Sequence, residues 1–91
     1  MYKILFYETV DNYLELRAQY RAEHLALVER YYNNGILVMA GALADPYDAA
    51  ILVFKTESEL LVEEFAKSDP YVKNGLIKTW KIRQWNVVVG G

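Results

Sequence analysis

Apolar side chains fill most of residues 2 to 8, Tyr2-Lys3-Ile4-Leu5-Phe6-Tyr7-Glu8, and predict a first strand. Asp11 or Asn12 then offers an N-cap to a long helical pattern running to about Asn33. Asn33-Asn34-Gly35 supplies a left-handed stop, after which Ile36 to Leu43 is a second apolar strand. Asp45-Pro46-Tyr47-Asp48 reads as a turn and Ala49 to Lys55 as a third strand. Thr56-Glu57-Ser58-Glu59 has the spacing of a capping box opening a second helix that ends near Ser68. Pro70 pushes Asp69 out of the helical region, and a short connection through Gly75 leads to a final strand from Leu76.

The order βαββαβ predicts an α+β, ferredoxin-like unit over residues 1–91, a four-stranded antiparallel sheet with two helices on one face. In a monomer the other face should be polar, because alternation would place it in water. Here both faces are apolar. Tyr2, Ile4 and Phe6 oppose Leu5 and Tyr7, Ile36 and Val38 oppose Leu37 and Met39, and the third strand reads Ile51-Leu52-Val53-Phe54. Ninety-one residues, 54% of them hydrophobic, make a small body with much apolar surface, and a chain this short buries a smaller share of its surface than a larger domain does. A second copy packed sheet to sheet, giving a homodimeric α+β barrel, resolves both problems. Leu76 to Val89 would span about 45 Å if extended, about twice its neighbours. Val87-Val88-Val89 must therefore bend away or pair elsewhere, and the partner subunit is the expected place.

Charge excludes some functions. Ten Lys and Arg are scattered among twelve Asp and Glu for a net charge of −2, so nucleic-acid binding lacks its electrostatic driving force. With no cysteine there is no disulfide framework, thiolate nucleophile or Cys-ligated metal. Residues 1 to 8 lack a signal-peptide pattern and no apolar run reaches membrane-spanning length, so a cytoplasmic protein without membrane contact is expected.

The first helix carries the candidate chemistry. At about 100° per residue, Glu15, Gln19, Ala22, Glu23, Ala26, Glu29 and Arg30 form a solvent side. Leu14, Leu16, Ala18, Tyr20, Leu25, Leu27, Val28, Tyr31 and Tyr32 form an apolar side. Arg17, Arg21 and His24 fall within an arc of about 60° near the middle of that apolar side. Half-buried arginine is costly unless it is paired or faces a wet pocket, which points to a cavity lined by cations. The plainer account has Arg17 and Arg21 snorkelling over apolar surface while His24 bonds a backbone carbonyl.

Several short motifs, in order along the chain, resemble the YciI-like (YCII-related domain) family. They are Arg21-Ala22-Glu23-His24-Leu25 on the first helix, Gly35-Ile36-Leu37 and Gly41 at the second strand, and Asp69-Pro70-Tyr71 after the second helix. Gly75-Leu76 and Arg83-Gln84-Trp85 follow near the end. The chain departs from the family in having Gln84 where proline is usual and Ala49-Ala50 in a glycine-poor third strand. The resemblance implies a dimeric α+β barrel with an active site around a His–Asp dyad, carried over as His24 and Asp69, and lyase-type elimination among the activities. Tyr71 of the same segment is placed with Arg21 and Arg17 as substrate-binding.

A dyad of this kind has a physical basis of its own. An imidazole, with a reference pKa of about 6.5, takes and returns a proton near neutrality while a carboxylate fixes its tautomer and stabilises the imidazolium. Arg21 and Arg17 can hold a carboxylate or phenolate through paired donors. For Asp69 the competing role is that of a turn residue satisfying nearby amides. The leading expectation is an acid/base enzyme of lyase or isomerase type on a small anionic or phenolic substrate, with no cofactor. The alternatives are a non-catalytic small-anion-binding or accessory dimer and a cofactor-independent oxygenase. One histidine and no Glu-x-x-His spacing argue against a metal site, although Asp45 and Asp48 could join one. Trp80 and Trp85 read as core or dimer aromatics, and Ser58 and Ser68 as helix termini.

Overall fold

The computed structural model describes residues 1–91. Its elements are β1 (Tyr2–Thr9), α1 (Tyr13–Asn33), β2 (Leu37–Ala42), β3 (Ala49–Lys55), α2 (Glu59–Ser68), α3 (Pro70–Lys73) and β4 (Ile77–Trp85). The strands form one antiparallel sheet in the order β2-β3-β1-β4, the ferredoxin-like arrangement. No helix is long and apolar enough to cross a membrane.

Strand pairing assigns the faces, because directly opposed residues share a side of the sheet. Leu5 opposes Leu52 and Ile82, and Tyr7 opposes Ala50 and Trp80, on the side covered by the helices. There Leu5, Leu52 and Phe54 are buried with Leu27 of α1 and Val62, Phe65 and Ala66 of α2. Phe65 meets Tyr31 and Phe54 edge to face, with centroids 5.0 and 5.2 Å apart. The opposite side carries Ile4 against Val53 and Phe6 against Ile51, with Met39 beside Val53 and Trp85 beside Tyr2. No element covers it, and Met39 stays 65% exposed.

The strands depart from simple alternation in β2. A register shift between Leu37 and Met39 turns Leu37 toward the helices, opposite Phe54, and Met39 away from them, opposite Val53. Strict alternation had placed both on one face, and the inserted residue of a bulge is what separates them. The last strand also ends early, at Trp85. As an edge strand it pairs only with β1, and the pair Tyr2–Trp85 exhausts that partner. Val88 and Val89 beyond it are 93% and 88% exposed.

The helix ends explain the remaining boundaries. Gly35 takes φ 76°, and Ile36 N donates to Tyr31 O while Gly35 N donates to Tyr32 O, a Schellman stop for α1. Helix α2 starts from Ser58, whose Oγ accepts from Leu61 N at 3.2 Å. Thr56, expected as the cap from the Thr56–Glu59 spacing, instead accepts from Ser58 N at 3.1 Å and shapes the approach. The connection between α2 and β4 holds an additional single turn, α3, with Pro70 at its first position. Gly75 at φ 79° closes that turn, with Leu76 N donating to Tyr71 O.

On α1, the residues turned to the sheet are Tyr13, Leu16, Arg17, Tyr20, His24, Leu27, Val28 and Tyr31, all buried or half-buried. This stripe is narrower than the apolar arc drawn from the sequence: Leu14, Ala18, Leu25 and Tyr32 are exposed. Arg17 and His24, seven residues apart, stay near its centre, while Arg21 sits on its flank and is exposed.

Candidate functional site

Asp69 ends α2 and begins α3. Its backbone is extended, at φ −68° and ψ 121°, as the following proline requires. The side chain is completely buried, and only Thr9 is a comparably buried polar residue. A buried carboxylate is costly unless it is hydrogen-bonded, and here three donors surround it. Oδ1 accepts from Tyr71 N at 3.0 Å and lies 2.8 Å from His24 Nδ1, and Oδ2 accepts from the Tyr7 hydroxyl at 2.8 Å. An ionised carboxylate can only accept, so this arrangement calls for the proton of the His24–Asp69 bond to sit on Nδ1. Asp69 is thus the cap of a turn and the partner of the imidazole through the same oxygen.

Tyr7 reaches Asp69 from β1, beneath α1. Burial, reinforced by the negative charge of Asp69 and the hydrogen bond to it, holds its phenol far above the ordinary tyrosine range, so it remains a donor. Tyr71 lies flat against the His24 ring, centroids 3.8 Å apart and planes within 6°. Tyr13 meets Tyr71 edge to face at 5.8 Å. Burial pushes the Tyr71 phenol up and Tyr13 adds to this, while the cations of Arg21 and Arg17 oppose it. The Tyr71 hydroxyl is buried and has no acceptor for its proton, with the Arg21 guanidinium as its neighbouring donor. Arg17 stacks between the rings of Tyr13 and Tyr47, 5.5 and 5.9 Å from their centroids.

These residues border a cavity of about 140 Å³ between α1 and the β2–β3 end of the sheet. Its polar part is made by Tyr7, Tyr13, Arg17, Arg21, His24 and Tyr71. Leu25, Val28 and Leu52 form an apolar part, and Ala40, Gly41, Ala42 and Ala50 a wall of small residues. The structure therefore brings His24, Asp69, Tyr71, Arg21 and Arg17 to one place, with the His24 side chain only 14% exposed. Asp45 and Asp48 lie on an exposed loop, and no group of three or more His, Asp or Glu side chains is placed to hold a metal ion.

From the sequence Tyr7 reads only as an apolar residue on one strand face, and Tyr13 has no assigned role. A usable signal existed for each. A tyrosine on a buried strand face needs a partner for its hydroxyl, and Tyr13 shares the helical stripe of Arg17 and His24 at four- and seven-residue spacings.

Fold and site together define a ferredoxin-like α+β protein with a buried carboxylate–imidazole contact beside a small aromatic cavity. The chain belongs to the YCII-related domain family, whose model matches residues 1–86. Among solved structures it is similar to 5-chloro-2-hydroxyhydroquinone dehydrochlorinase (TftG) from Burkholderia phenoliruptrix, in complex with 2,5-dihydroxybenzoquinone. That likeness has a TM-score of 0.80 and 21% identity, covering 94% of each chain. A dimeric ferredoxin-like protein from an uncultured marine organism matches with a TM-score of 0.55 and 16% identity, over 99% of this chain and 89% of that one. A NIPSNAP domain protein from Burkholderia xenovorans has a TM-score of 0.55 and 9% identity over 99% and 98% of the two chains. These likenesses concern the fold. No curated protein matches the chain by sequence.

Proposed function

We propose that the cavity is an active site in which His24 is a general acid/base, supported by Asp69, in a lyase- or isomerase-type reaction on a small anionic or phenolic substrate. The observation that carries this reading is the buried Asp69 carboxylate, gripped by three donors and bonded to Nδ1 of a histidine that lines the cavity. With Nδ1 engaged, Nε2 is the nitrogen available to a ligand. It takes a proton from the substrate, the electron pair left behind forms the new double bond, and a leaving group departs with its own pair. The resulting imidazolium faces the charge of Asp69. Arg21 and Arg17 hold the substrate's anionic oxygen, and Tyr71 supports the imidazole ring from its face. The similar fold of a dehydrochlorinase in complex with a hydroxyquinone favours the phenolic class.

Turnover of chlorinated or hydroxylated ring substrates tests the reading. His24→Gln and Asp69→Asn should each lower the rate by about 10²–10⁴-fold, and the double variant should lose far less than the product of the two losses. Near-normal turnover in either single variant would defeat the mechanism. Ring binding without turnover in the intact protein would instead favour an accessory, anion-binding pocket.

The same proposal includes a homodimer joined through the uncovered sheet face, where Ile4, Phe6, Ile51, Val53, Met39 and Trp85 gather. One relative by fold is a dimeric ferredoxin-like protein, which supports it. Sedimentation at micromolar concentration should give twice the chain mass, and a monomer would exclude this interface.

A further inference from the structure

Three groups beside the cavity lack the partner that their chemistry asks for. The Tyr71 hydroxyl belongs to a residue only 1% exposed, and no acceptor in the chain takes its proton; the hydrogen-bonding influence on it comes from the Arg21 guanidinium, which is itself a donor. A buried hydroxyl without a hydrogen bond is unfavourable. Arg17 and Arg21 have no carboxylate within salt-bridge reach: the chain's ion pairs are His24–Asp69 and Lys78–Asp11. Both guanidiniums nevertheless lie close enough to Tyr71 to oppose the upward push of burial on its phenol. An O–H without an acceptor and two cations without a carboxylate, gathered at one place, fit a negatively charged oxygen.

The rest of the cavity limits what can carry that oxygen. Beyond the polar groups it is lined by aromatic and aliphatic side chains, and its volume is about 140 Å³. Enclosed apolar cavities of about 150 Å³ admit one benzene ring, and this one, partly open to solvent beside Arg21 and Leu25, has room for a ring of that size within its walls. Ala42 and Ala50 face each other across β2 and β3, and both line the cavity wall where larger side chains would close it.

We propose that the ligand of this site is a single six-membered ring bearing an ionised ring oxygen. The Tyr71 hydroxyl and the Arg21 guanidinium receive that oxygen, and Ala42 and Ala50 set the one-ring limit. This rests on the reading of the cavity as a ligand site, but it concerns binding and requires no proton transfer. Tyr71 donates its O–H to the ring oxygen, and its burial keeps the proton on the tyrosine so that it stays a donor. Arg21, on the exposed flank of α1, adds a charged donor from the solvent side.

Calorimetric titration of the full chain with three probes tests this at fixed salt. 2,5-Dihydroxybenzoquinone supplies one ring with acidic oxygens, 2-hydroxy-1,4-naphthoquinone adds a fused second ring, and benzoate places the charge on a carboxylate outside the ring. The one-ring quinone should bind at least about tenfold more tightly than the other two. Tyr71→Phe keeps the ring stacked on His24 and removes only the hydroxyl, and should weaken the quinone by about ten- to a hundredfold, as expected for a hydrogen bond to a charged group. Arg21→Gln, at an exposed position that the fold does not need, should weaken it by about tenfold and flatten its salt dependence. Ala42→Leu should abolish quinone binding. No binding of the one-ring quinone, equal affinity for the two-ring quinone or benzoate, or unchanged affinity in Tyr71→Phe would overturn the proposal. His24→Gln separates it from the proton-transfer mechanism. Retained binding with lost turnover in that variant, alongside unaltered binding in Tyr71→Phe, would sink this inference and leave the mechanism standing. The reverse pattern would sink the mechanism alone.

Discussion

Helix α2 buries Val62, Phe65 and Ala66 completely within ten residues, whereas α1, with twenty-one, buries only Tyr13 and Leu27. Both lie on the same sheet face, so the difference is in what each turns toward it. α2 presents a continuous apolar stripe to Leu5, Phe54 and Leu76. α1 interrupts its stripe with Arg17 and His24, and the space that a leucine would fill is the cavity. One end of the layer is thus closely packed and the other keeps a cavity, the end that the proposed function uses and the division expected where function competes with packing.

Substitutions on the two sides should separate these tasks. The largest stability effect belongs to the α2 side. Phe65→Ala should lower unfolding free energy by about 3–5 kcal/mol in denaturant titration, because the Tyr31 and Phe54 rings around it cannot fully collapse into the void. The folded fraction should still bind ring ligands normally, and a selective loss of binding would break the division. A smaller effect is expected at Tyr7, which belongs to both regions. Tyr7→Phe removes one of three donors to a buried carboxylate and should cost about 1.5–3 kcal/mol. It also changes the pH profile. A phenol raised by folding stays protonated when its unfolded counterpart ionises near pH 10, so the unfolded chain binds fewer protons and stability falls as pH rises above about 10. Tyr7→Phe should lose stability less steeply in that range. An unchanged alkaline slope would mean that Tyr7 is not held as described.

The parts of the fold visible in the sequence were those governed by local rules. Ala49–Lys55 is bounded by a turn and a cap and has the predicted limits, and Asn33-Asn34-Gly35 stops α1 because glycine alone takes a left-handed conformation freely. What was not visible depends on partners distant in the chain. The bulge after Leu37 answers to β3, the end of β4 at Trp85 answers to the start of β1, and the choice of Ser58 over Thr56 as cap depends on how the chain leaves the sheet. The site divides similarly. The spacing of Arg17, Arg21 and His24 marks one helical stripe, but nothing local says that Tyr7, sixty-two residues from Asp69, will donate to it. The alanine wall was half hidden: Ala49-Ala50 stands out as a glycine-poor stretch, but Ala40 and Ala42 read only as small strand residues until the sheet register sets them beside α1.

The imidazole of His24 has two torsions by which it could turn away from a bound molecule, and the segment Asp69-Pro70-Tyr71 removes both. Asp69 pins the ring at its edge through Nδ1, and Tyr71, two residues later, pins it on its face. Because Pro70 fixes the backbone between them, the two restraints keep a set spacing and arrive together when α3 docks against α1. The ring has little rotational freedom left, so in the proposed function its orientation is already settled before any ligand is met. A one-residue insertion or deletion in this tripeptide would release edge and face at once, leaving the histidine in place but unaimed.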